Sequence, residues 1–232
     1  MTSLRSQEQI DVIKKYESDP FQLLNIISKD DVEHLLSVFY DNEKEQKATG
    51  PEVCFLDHND LVLKKIVAML EDSIGKFNFR AVQFFKANRP HILHIDDDFH
   101  YPNTYKAILI PLWHNGHTDP NFFIYNQHYY GGPAKFFKGR KVDPAVHYNL
   151  PVTDYEDIDG IDKIGIPGPV REKIDHLKDE WLEGLSVKAY FPWIVTSAIV
   201  FDSLQLHSAG NFAKQGVTEK IGLSIFTQDP HD

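Results

Sequence analysis

The stretch RPHILHIDDDFHYPNTYKAILIPL, residues 89 to 112, places an imidazole and a carboxylate two residues apart, at His94 and Asp96. On an extended chain, side chains two apart share a face, so both can reach one cation while Ile95 points the other way. An imidazole with a carboxylate suits Fe(II), Mn or Zn. A third ligand would complete one triangular face of an octahedron and leave three positions open. His207 is the candidate for it, in AIVFDSLQLHSAGNF, which reads as a strand to Phe201, a turn at Asp202 and Ser203, and a short strand carrying the histidine. Thirteen residues later, Lys220 opens the strand KIGLSIFT. A lysine buried beside a metal pocket is costly unless it meets an anion, so the set asks for a carboxylate cosubstrate.

A rival cluster exists in HNGHTD, where His114, His117 and Asp119 repeat the spacing of His91, His94 and Asp96. It is dense in turn residues and sits between two strand-like runs, so it reads as a surface loop. His100, His128 and His147 read as surface or supporting groups, and the aromatics Trp113, Tyr125, Tyr129 and Tyr130 as core. The basic KFFKGRK (135 to 141) could attract an acidic substrate and the acidic DYEDIDGID (154 to 162) a basic one.

A chain of 232 residues is long enough to bury one substantial core, and one domain spanning 1–232 is the expectation. Its only cysteine, Cys54, excludes an intrachain disulfide and Cys-rich zinc modules, which leaves His and carboxylate to hold any metal. The net charge of -10 repels phosphate backbones, so neither nucleic acid nor an anionic membrane is the expected partner. No stretch approaches the roughly 20 apolar residues of a membrane span, and the start MTSLRSQEQIDVIKK lacks a signal-type apolar region, so a cytoplasmic location is expected. Oligomeric state is not legible.

The elements that must position these residues fall into two textures. Residues 1–79 read as helical support. Val32, Leu35, Leu36 and Phe39 recur at helical spacing behind Ser28 and Asp31 as cap and first-turn acid, and Leu63, Ile66, Val67, Leu70 and Ile74 repeat the period. From about Arg80 come β-branched and aromatic runs at 81 to 85, 105 to 113, 121 to 130, 186 to 191, 193 to 201 and 219 to 227. Short strands without regular helix alternation favour an antiparallel sandwich or barrel, so the expected class is α+β with a core from 80–130 and 185–228. Residues 131–184 read as an insertion ending in a helix over PVREKIDHLKDEWLEGL.

With these residues in place, the chain resembles the Fe(II)- and 2-oxoglutarate-dependent oxygenases, in particular prolyl-hydroxylase-like or phytanoyl-hydroxylase-like members. Their fold is a double-stranded β-helix, or jelly roll. Its second strand carries an H-x-D pair, its seventh a distal His, and its eighth an Arg or Lys. The resemblance implies those roles for His94, Asp96, His207 and Lys220, with YKAILIPL following the pair and DPFQLLNIISKDDVEHLL as a family-like opening strand and helix. It also implies the cofactor Fe(II), the cosubstrate 2-oxoglutarate, O2, and hydroxylation of a small molecule, such as an amino acid, or of a peptidyl residue, with release of succinate and CO2. Ser224, on the face of Lys220, and His91 and Tyr105 are further candidates for cosubstrate contacts. Gly222 stands where a Ser two residues after the basic position is frequent. Asp96 argues against halogenation, which needs a small residue there. The alternatives are a cupin-like metal enzyme that does not use 2-oxoglutarate, and a non-catalytic jelly-roll binding module.

Overall fold

The structure, a computed structural model, describes residues 6–46, 51–96, 104–130 and 166–229. Among these residues, ten strands form two antiparallel sheets. The large sheet has the order β1 (Phe21–Leu23), β8 (Ala198–Asp202), β5 (Thr104–His114), β10 (Lys220–Gln228), β4 (Asn78–Ala87), β3 (Glu52–Phe55), β2 (Glu45–Gln46). The small sheet has the order β7 (Val187–Pro192), β6 (Asn121–His128), β9 (Gln205–Ala209). A single antiparallel bridge between His94 and His207 continues the small sheet beyond β9. The eight core strands, counting the segment around His94 as the second, wind as a double-stranded β-helix.

Helices α1 (Gln7–Lys14), α2 (Lys29–Asp41) and α3 (Leu61–Ile74) precede the core. Helix α2 begins where its sequence says it must: Ser28 caps the backbone N–H of Asp31, and the Asp31 carboxylate accepts from the Ser28 N–H. Asp60 caps α3 through the N–H groups of Val62 and Leu63. Leu35 and Phe39 of α2 and Leu63, Ile66 and Leu70 of α3 pack on Ile108, Ile110, Val200, Leu223 and Ile225 of the large sheet. The opposite face of that sheet, Ala107, Leu109, Ile199 and Phe201, meets Phe122, Ile124 and Trp193. β5 is therefore covered on both sides, which is why its sequence is a continuous apolar run rather than an alternating one.

Two expectations change. Residues 1–79 are not only helical, since β1, β2 and β3 lie within them and lengthen the large sheet at both edges. The single helix expected over PVREKIDHLKDEWLEGL is instead α4 (Gly168–Arg171), a 3-10 turn at Glu172–Ile174 and α5 (Asp179–Leu182). Arg171 breaks it by donating to the carbonyls of Ile174 and Leu177 and pairing with Asp179. The break lets Ile174, Leu177, Trp181 and Leu182 all reach the outer face of the small sheet at Phe123 and Tyr125. No helix among the described residues is long and apolar enough to cross a membrane.

Candidate metal centre

The segment Leu93 to Asp96 is extended and alternates: Leu93 and Ile95 are buried in the outer cluster with Leu204 and Leu206, and His94 and Asp96 face the other way. Backbone bonds in both directions between His94 and His207, each 3.0 Å, fix the register of this segment on β9. Asp96 N–H donates to the Ser203 carbonyl at 3.0 Å, and the Arg80 guanidinium donates to the Asp96 carbonyl at 2.7 Å. The three side chains thus converge from a chain separation of 113 residues. His94 Nε2 lies 3.0 Å from His207 Nε2, and the Asp96 carboxylate oxygens lie 3.6 Å from the former and 3.5 Å from the latter. Among the described residues this is the one group of His, Cys, Asp or Glu whose ligand atoms converge within 4.8 Å.

The chemistry of the donor set fits a cation. His94 Nδ1 sits 2.7 Å from the Ile92 carbonyl and His207 Nδ1 2.9 Å from the Gln205 carbonyl. A carbonyl can only accept, so each neutral ring carries its proton on Nδ1 and presents a bare Nε2. Two bare nitrogens and a carboxylate facing one point repel one another unless a positive charge lies between them. Burial holds the His94 pKa well below its ordinary value, and the nearby His91 and His207 rings add to the depression. The ring is kept in the form that binds a metal.

Lys220 is buried, with 3% of its surface exposed, and its Nζ lies 3.8 Å above the Trp193 ring and 5.1 Å from that of Phe212. Among the described residues it has no carboxylate or hydrogen-bond partner, and burial pulls its pKa down to about 7. His91 packs edge-on against His94 with ring centroids 3.9 Å apart. The protein around the His91 ring lowers its pKa through desolvation; Asp96 opposes the shift and His207 and Lys220 deepen it. Lys220 is therefore within electrostatic reach of His91, the ring that packs against His94.

The remaining candidates divide. Ser224 alternates with Lys220 along β10 on the inward face and is half-buried. Tyr105 is turned away: its hydroxyl donates to the Ile74 carbonyl at 2.6 Å and its ring packs with the helices, so it is not a pocket hydroxyl. Gly222 has a steric reason, because a Cβ there would lie 2.7 Å from Phe85 Cζ and 3.0 Å from Trp193 Cη2. In the rival cluster, His114 pairs with the exposed Asp119 at 3.1 Å and His117 is exposed. His128 pairs with the buried Asp202 at 3.0 Å. His100, His147, KFFKGRK and DYEDIDGID lie outside the described residues. Sequence reading missed Arg80, which steadies the Asp96 backbone, and Trp193, which floors the lysine; neither has a sequence neighbour that marks it.

No protein-family model matches the chain, and no curated protein matches it. Solved structures do. The epimerase SnoN, in complex with Fe3+, alpha ketoglutarate and nogalamycin RO, aligns with a TM-score of 0.55 at 11% identity, over 96% of this chain and 83% of that one. HygX from Streptomyces hygroscopicus, with nickel and 2-oxoglutarate bound, aligns at 0.54 and 10% identity, over 98% and 88%. The alpha ketoglutarate dependent carbocyclase SnoK aligns at 0.50 and 10% identity, over 97% and 84%. What this chain shares with them is the fold, the double-stranded β-helix of the 2-oxoglutarate-dependent oxygenases.

Proposed function

We propose that this chain is a non-haem Fe(II)- and 2-oxoglutarate-dependent oxygenase that hydroxylates a small molecule or a peptidyl residue. One observation carries the reading: two bare imidazole nitrogens and a carboxylate converge in a barrel that also buries an ammonium group with no carboxylate partner among the described residues. In this reading His94, Asp96 and His207 hold the iron and leave one side of it open. Lys220 takes the distal carboxylate of 2-oxoglutarate, with Ser224 and His91 beside it. Iron, when bound with 2-oxoglutarate and O2, supplies the oxidising power for attack on a C–H bond, with succinate and CO2 released.

The chain's own part is placement. The carbonyls of Ile92 and Gln205 keep the Nδ1 protons and so aim Nε2 of each ring at the metal. Phe122 and Phe201, with ring centroids 5.3 and 4.7 Å from that of His207, exclude water from the far side of that ligand. Hydroxylation is the expected outcome, although SnoN is an epimerase and SnoK a carbocyclase. A small-molecule substrate agrees with the HygX structure that holds hygromycin B.

Succinate release tests the proposal. Full-length protein with Fe(II), 2-oxoglutarate and air should release succinate slowly even without substrate. Asp96→Ala and His207→Ala should lower both metal retention and release by at least about tenfold, in line with losses at metal sites. Metal affinity equal to wild type in both variants would favour the non-catalytic binding module, and metal binding without succinate would favour the cupin-like enzyme.

A further inference from the structure

Two buried nitrogen donors meet at one end of the inter-sheet space. Lys220 opens β10, opposite Ala87 of β4 and His114 of β5. Trp193, fully buried, sits between β7 and β8 with its backbone N–H bonded to the Pro120 carbonyl at 2.7 Å. Phe85 packs edge-on against it with ring centroids 5.9 Å apart, and the missing side chain at Gly222 leaves the room it occupies. The indole is therefore pinned beneath the ammonium. Its Nε1–H has no hydrogen-bond acceptor among the described residues, and the contacts of Lys220 Nζ there are with the faces of the Trp193 and Phe212 rings.

A buried N–H without an acceptor forfeits the hydrogen bond it made to water, and a buried ammonium without an anion is costlier still. Each is rare, and here they are adjacent. The rings of Trp193 and Phe212 give the ammonium cation–π contacts, but neither they nor Phe85 offers a hydrogen-bond acceptor to either nitrogen. Extending the proposed function, on which this rests, we infer that Trp193 Nε1–H is the second anchor of the distal carboxylate of a dicarboxylate cosubstrate, one oxygen on Lys220 Nζ and the other on Trp193 Nε1. A carboxylate suits the pair better than a phosphate, which brings more charge and more acceptor oxygens than one ammonium and one indole satisfy. The arrangement also gives a use to Gly222, since a side chain there would collide first with Phe85, the ring that packs edge-on against the indole.

Two measurements on the full chain test this. With Mn(II) bound, calorimetric titration compares 2-oxoglutarate with pyruvate, which keeps the 2-oxo acid and lacks the distal carboxylate. Wild type should prefer 2-oxoglutarate. Trp193→Phe keeps a ring under the ammonium and removes the donor, so it should shrink that preference by about tenfold or more while pyruvate affinity holds. An unchanged preference in Trp193→Phe overturns the role of Trp193 and leaves the proposed function standing; a wild-type protein that does not prefer 2-oxoglutarate overturns both. The second measurement needs no substitution. In Zn(II)-loaded protein with its three tryptophans 15N-labelled, 2-oxoglutarate but not pyruvate should move one indole N–H proton downfield. Indole signals that all stay in place when 2-oxoglutarate is bound overturn the inference, whether or not Trp193→Phe folds.

Discussion

Lys220→Met separates what the buried amine costs from what it does. The unfolded lysine titrates near 10.5 and the folded one at about 7, because burial penalises the charged form. Between these values the unfolded chain holds the extra proton, so the stability of the ligand-free protein rises with pH across that window. The substitution should therefore raise unfolding free energy by ~1–4 kcal/mol at pH 7, as when buried ions give way to apolar side chains. The gain should fade as the pH nears 10.5. Urea denaturation at several pH values reads this out, and a variant less stable than wild type at pH 7 would mean that the amine has a partner. His94, Asp96 and His207 were legible in the sequence because strand alternation and a turn fix which way each one faces. Tyr105 was not, because a hydroxyl's partner, here the Ile74 carbonyl, lies in an element 31 residues away.

Caps are local, and so α2 could be read from its own residues. Ser28 and Asp31 form a reciprocal cap, and Lys65 of α3 reaches Asp31 at 2.8 Å, tying the two helices together. Ser28→Ala should cost about 1 kcal/mol in thermal or chemical unfolding. The Asp31 carboxylate is held at about 2, first by the Lys65 hydrogen bond and then by Ser28. A depressed carboxylate contributes stability above its unfolded pKa of 3.8 and loses it as pH falls towards 2. Asp31→Asn should therefore destabilise at pH 7 and match wild type near pH 2; a deficit constant across that range would assign the loss to packing. The strand at β1 was anticipated only through the family resemblance, and β2 and β3 escaped sequence reading, because two to four residues carry too little alternation to register and pairing with β8 and β4 supplies what propensity does not. The helix expected at 169 onwards failed for a related reason: its apolar residues suit either a helix or a broken turn, and Arg171 decides between them through carbonyls that only the folded chain presents.

For the molecule as a whole, the metal centre depends on two sheets keeping their spacing, since Asp96 and His207 belong to the small-sheet side and Lys220 to the large sheet. A buried network beside the β8–β9 turn joins them. Lys106 of β5 pairs with Asp202 of β8, Asp202 meets His128 of β6 at 3.0 Å, and Lys106 also holds the Tyr16 carbonyl at 2.7 Å and the Ser18 hydroxyl at 2.8 Å. The segment after α1 is thereby strapped across both sheets. Lys106→Met leaves Asp202 without its cation and should cost about 3–5 kcal/mol in denaturant unfolding. The double variant Lys106→Met with Asp202→Leu should cost less than the single one; equal or greater loss would show that the pair stabilises through packing rather than charge. The α+β class was legible from strand texture and the jelly-roll order from the family resemblance, whereas this cross-sheet network was not, because its members lie in four separate stretches of chain.

The most direct measurement of the central claim is spectroscopic and needs no substrate. Under anaerobic conditions, Fe(II) and 2-oxoglutarate added together to the full-length protein should give a weak visible charge-transfer band that neither gives alone and that His207→Ala abolishes. A spectrum that stays featureless, or a band that survives the loss of His207, would contradict an iron site built from His94, Asp96 and His207.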